Sequence, residues 1–210
     1  MAALRAMASW QVGDEYGKRS VEYTLLKGDL ELGGNVQISD AQREVRTVFV
    51  GGFWGQLVSS ALWLVSAALA TWVSPRAAIL QIVLGGLLIF PLTQLLLRLS
   101  GWRARVAREN PLHWLGMQVA FTLPLSMLLL VPVAEYRLSL FYPALMVLLG
   151  AHYLPFTFLY GMRMFVPLCA ILVGGGVVIA MYLPASFSLG GWVGGLTLFV
   201  FAWILRAARA

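Results

Sequence analysis

From Thr47 onward the chain is a succession of runs without Asp, Glu, Lys or Arg, broken by single arginines or short basic stretches. The runs are Thr47 to Pro75, Ala77 to Leu97, Asn110 to Ala134, Leu138 to Met162 and Met164 to Leu205. Each is as long as the roughly 20 apolar residues that a helix needs to cross about 30 Å of hydrocarbon. The last is about twice that length and contains "YLPASFSLGG", where Pro184 and Gly190 bracket small polar residues and mark a turn. The pattern predicts six spans, the alternative being five with the last run partly re-entrant. Ahead of them, Ser39 and Gln42 stand in capping-box spacing, which predicts a helix that begins in water and runs straight into the first span. In residues 1–38, "SVEYTLLKGDLEL" alternates weakly about a Lys-Gly-Asp turn, consistent with a short hairpin or with no order. The expected division is an N-terminal cytoplasmic segment, 1–38, and a transmembrane domain, 39–210.

Composition agrees with the pattern and fixes the class. A chain with 60% hydrophobic and 11% charged residues and a mean hydropathy of +0.81 lies outside the soluble globular range. The expected fold is therefore an all-α integral membrane protein, a six-helix bundle. Seven of the nine acids lie at or before Glu44, so the membrane part is nearly free of carboxylates. After Arg5, "AMASWQVGDEYGKR" carries charge where a signal peptide needs an apolar run of roughly 7 to 15 residues, and the N-terminus is expected to be retained. With that end inside, thirteen of the fifteen Lys and Arg fall on the inner side and only Arg76 and Arg137 outside. The positive-inside rule then predicts a multi-pass protein of the plasma (inner) membrane with both termini cytoplasmic.

Sliding the chain by 64 residues sets "VLGGLLIFPLTQLLLR", Val83 to Arg98, over "VLLGAHYLPFTFLYGM", Val147 to Met162, with a shared G-x4-P-x-T-x-L. Gln56 and Ser60 upstream match Gln118 and Thr122 with two residues of slip, so the bundle reads as repeated two-helix units. In this alignment His152, Tyr153 and Tyr160 replace Leu88, Ile89 and Leu96. A framework with its glycine and proline kept and polar side chains added in one copy suggests a site. Tyr142, Tyr153 and Tyr160 share one helical stripe, and polar groups at mid-span normally face protein or a wet cavity. The candidate solute-binding residues are His152, Tyr153 and Tyr160 at a Pro155 kink, Gln56 and Gln118 from neighbouring spans, and Arg163 at the cytoplasmic mouth.

The other features bound the function. "GGFWG" and "GGWVGG" have small residues at four-residue spacing, ridges for close helix contact within the chain or with another subunit. Arg103, Arg105 and Arg108 outnumber their one neighbouring acid, Glu109, and are expected at anionic lipid headgroups or a partner's acidic surface. The lone Cys169 and two distant histidines support no metal site, no cofactor motif is present, and no nucleic-acid partner is expected. Without H-E-x-x-H, G-x-S-x-G or a membrane-depth acid, an enzyme is the least favoured class. A channel, facilitator or binding protein for a small neutral or anionic solute leads, working as a homo-oligomer or with a membrane partner. A structural or assembly subunit of a larger membrane complex is the alternative.

Overall fold

The computed structural model describes residues 38–101, 105–183 and 186–209. The hairpin considered within 1–37, Arg103 and the expected turn residue Pro184 lie outside the described residues. Six helical segments are long and apolar enough to cross a membrane: Val50–Trp72, Pro75–Leu99, Leu112–Tyr136, Leu138–Leu159, Phe165–Tyr182 and Leu189–Ala208. The chain is an all-α polytopic membrane protein, and its long last run holds two helices. The elements are α1 (38–48), α2 (Phe53–Trp72), α3 (Pro75–Leu99), α4 (Leu112–Ser126), α5 (Leu130–Tyr136), α6 (Phe141–Tyr153), α7 (Phe156–Leu159), α8 (Phe165–Tyr182) and α9 (Leu189–Ala208). A 3₁₀ turn, Met127–Leu129, joins α4 to α5 within the third span.

The helix expected to begin near Ser39 does not run straight into the first span. Between α1 and α2, Val50, Gly51 and Gly52 have φ of 55°, 64° and 84°, and three left-handed residues in succession turn the chain. Glycine takes that conformation without a Cβ penalty, whereas a β-branched valine there is strained. Gly51 therefore belongs to a turn and not to a helical ridge; a Cβ on it would lie 3.3 Å from the Leu205 carbonyl at the end of α9. The α2–α3 hairpin is as tight as its sequence allows. Ser74 caps α3 by accepting the Ala77 N–H at 3.2 Å, and Pro75 occupies the first helical position, where no donor is needed.

Burial separates a core from a periphery. In the first and fourth spans 44% of the most apolar stretch is buried, against 17% in α3 and 11% in α4–α5. Helix α2 packs between α3 and α9, α6 packs on α8 and touches α9, and α4–α5 lean on α6. The outward faces of α3 and α4–α5 carry Leu87, Leu88, Phe90, Phe121 and Leu125, side chains suited to lipid contact. In the core the α9 glycines let three helices meet: added Cβ atoms would come within 2.3 Å of Trp63 at Gly194 and 2.8 Å of Tyr142 at Gly190. The Ser60 hydroxyl donates to the Gly195 carbonyl at 3.0 Å, tying α2 to α9 where that ridge brings their backbones close.

The aligned helices α3 and α6 occupy different environments. Gly150 is pressed against α8, its Cβ position 3.1 Å from the Cys169 carbonyl, while Gly86 meets open space. Pro91 lies inside a continuous helix, whereas Pro155 separates α6 from α7.

Candidate functional site

Pro155 organises the site by what it removes. Lacking an N–H, it cannot bond the carbonyl of Ala151, which instead accepts from Leu154 at 3.2 Å. Helix α6 ends at Tyr153, one turn of α7 follows, and Gly161 at φ +62° closes it. The closing turn is a Schellman motif: Gly161 donates to the Phe158 carbonyl and Met162 to that of Thr157, both at 3.1 Å. Arg163 is exposed in the turn between α7 and α8.

The break sets four aromatic side chains against one another. Tyr160 stacks on Phe156 and Phe165, with ring centroids 5.7 and 5.6 Å apart, and Tyr153 stacks on Phe165 at 6.2 Å. Tyr153 and Tyr160 are 7% and 6% exposed, so their hydroxyls need partners inside the protein. Ser59 of α2 approaches the Tyr153 hydroxyl, and the two phenols are close enough to interact electrostatically. One turn from Ser59 is Gln56, 3% exposed, whose Nε2 has no hydrogen-bond acceptor. Gln56, Ser59, Tyr153 and Tyr160 thus form a polar interior on the α1 side of the bundle. Tyr142, the third member of the tyrosine stripe, is fully buried and reaches Ser66. Since Ser66 gives its only proton to the Ala78 carbonyl at 2.9 Å, Tyr142 is the donor to Ser66.

His152 and Tyr153 face different neighbours. His152 Nδ1 lies 3.0 Å from Thr122 Oγ1 of α4. The Thr122 hydroxyl donates to the Val119 carbonyl at 2.7 Å, so Nδ1 carries the proton of the shared bond and Nε2 is the acceptor of the neutral ring. Gln118, expected beside them, is exposed one turn away; Thr122 makes the contact. Of the expected residues, Tyr153 and Tyr160 lie together, Gln56 is buried one turn from Ser59, His152 turns to α4, and Gln118 and Arg163 are exposed.

A polar strap crosses the α1 side. Helix α1 buries Ala41, Val45 and Val48 and turns its polar residues to two other segments. Gln42 Nε2 donates to the Phe158 carbonyl at 2.6 Å and Arg46 Nη1 to that of Tyr160 at 3.2 Å, so α1 caps the end of α7. Glu44 accepts from the Ala107 N–H at 2.6 Å and from Asn110 Nδ2 at 2.8 Å. These bonds, the backbone one foremost, hold its carboxyl below the usual carboxylate range. Asn110, 6% exposed, also donates to the Ala41 carbonyl and accepts from Leu112 at the start of α4. Arg105 and Arg108 are exposed on this loop. The sequence reading missed Glu44 and Asn110; the signals were an Asn-Pro pair before a helix and one acid standing against the first span.

Among the described residues no group of three His, Cys, Asp or Glu is placed to hold a metal ion. A model described as a family of unknown function (DUF7010) matches residues 38–208, α1 together with all six spans. No curated protein and no solved structure matches the chain.

Proposed function

Because the chain belongs to DUF7010, whose function is unknown, we propose its function from the polar interior: a channel, facilitator or binding protein for a small neutral or anionic solute. The solute is held by Gln56, Ser59, Tyr153 and Tyr160. The observation that carries this reading is the Gln56 Nε2, buried without an acceptor. Such a donor costs about 1–3 kcal/mol, a cost that a bound oxygen relieves. None of the four side chains brings a negative charge, so the group suits neutral oxygen-bearing molecules and small anions. Arg163 lends positive charge at the entrance, which the bias of Lys and Arg assigns to the cytoplasm of the plasma membrane. Arg105 and Arg108 meet anionic headgroups there.

Ligand-linked stability tests the reading, since a molecule that binds only the folded state raises its melting temperature with concentration. Purified protein is titrated with formate, acetate and acetamide at millimolar concentration as probes. A rise with at least one of them that Gln56→Leu abolishes is expected. Equal responses in wild type and Gln56→Leu would refute the site, and the structural-subunit reading would then stand.

A further inference from the structure

A second, smaller cluster stands at the α1-side ends of α2, α3 and α9. Val50, Phe53, Leu97 and Ala202 pack together there, from the turn before α2, the start of α2 and the last turns of α3 and α9. Phe53 is 1% exposed and is braced edge-on by Trp54 at 5.0 Å and Trp203 at 5.2 Å. The guanidinium of Arg206 rests 4.8 Å above the Phe53 ring and 5.6 Å from that of Trp203. Cation–π contact with two rings fixes a long side chain that would otherwise be mobile, and it occupies the faces of the group while leaving N–H edges for oxygen acceptors. Arg98 follows buried Leu97 in the same cluster and, like Arg206, is exposed.

We propose that Arg206, held over Phe53 and Trp203, and Arg98 form a binding site for the phosphodiester headgroup of an anionic phospholipid in the α1-side leaflet. Three features argue for this occupant. Both arginines close membrane-spanning helices, so they stand at headgroup depth. Tryptophan is the side chain favoured at that depth, apolar in body and polar at one edge. The planar guanidinium matches two phosphate oxygens at once, a match that an ammonium lacks. The fatty chains would then lie along the apolar sides of α3 and α9, where Leu95, Leu99 and Val200 are exposed.

Native mass spectrometry of the full-length protein titrated with POPG and POPC reads the site directly. Each arginine contributes about fivefold to the preference for POPG over POPC, so Arg98→Gln with Arg206→Gln lowers that preference about twenty-five-fold, POPC losing less because its choline already offsets the phosphate charge. Arg206→Lys, which keeps the charge and the fold but loses the fork, falls between. POPG preference unchanged in the double variant would overturn the proposal, as would an equal loss of POPG and POPC.

Discussion

Tyr153 and His152 adjoin in sequence and part company in space, one turned to Ser59 of α2 and the other to Thr122 of α4. Their costs on substitution differ accordingly. Removing His152 leaves Thr122 still bonded to its own helix, so His152→Leu changes stability by about 1 kcal/mol or less. Tyr153 is part of a stacked ring cluster, and Tyr153→Ile takes out a packed aromatic for about 2–4 kcal/mol. The pair His152→Leu with Tyr153→Ile is therefore destabilised nearly as much as Tyr153→Ile alone, as chemical denaturation in detergent micelles would measure. A double variant as stable as wild type would mean that the ring cluster contributes nothing. The sequence marked both residues as unusual, because polar groups amid apolar runs are visible in one dimension. Their partners were not legible: Ser59 and Thr122 lie 94 and 30 positions away, and only packing decides which helix each ring meets.

Helix boundaries followed the runs closely, since hydropathy and proline act locally. Contacts between elements did not, and α1 shows why. A helix near Ser39 was readable, but its turn away from α2 depends on left-handed Val50, Gly51 and Gly52, and its strap bonds reach residues 63 to 116 positions away. The Glu44 link carries a pH signature. A carboxyl held low in the folded state contributes stability that is complete above its unfolded pKa and lost as pH falls through the folded one. Wild type should thus melt above Glu44→Gln at neutral pH, with the gap closing below the ordinary carboxylate range, about pH 4. Melting curves from pH 7 to pH 3 provide the check, and a gap that persists unchanged at pH 3 would exclude the charge as its source. The glycine ridge of α9 was the most legible inter-helix feature. Small residues at four-residue spacing announce a close approach, though not that Trp63 and Tyr142 are what approach.

For the whole molecule, the five apolar runs, the last read as two helices, predicted the six spans, because a bilayer leaves a chain few ways to satisfy its backbone. The separation of a four-helix core, α2, α6, α8 and α9, from outlying α3 and α4–α5 could not be read in the same way. Lipid-facing and core-facing leucines are chemically alike, so the apolar runs did not show which helices sit inside, although the mean hydropathy of 2.1 in α3 against 1.4 in the fourth span runs parallel to their burial. The candidate site lies in that core, at the α1 side, and the central claim is that its orphaned amide serves a solute rather than the fold. Osmotic reswelling of proteoliposomes in glycerol, urea or formate tests this most directly, with wild type compared against Gln56→Leu. The account predicts uptake above protein-free vesicles for at least one probe and its loss in Gln56→Leu, with melting temperature equal or higher because an unpartnered polar group has left the core. Undiminished uptake through Gln56→Leu would contradict it, and no uptake above protein-free vesicles for any of the three probes would exclude its channel and facilitator forms.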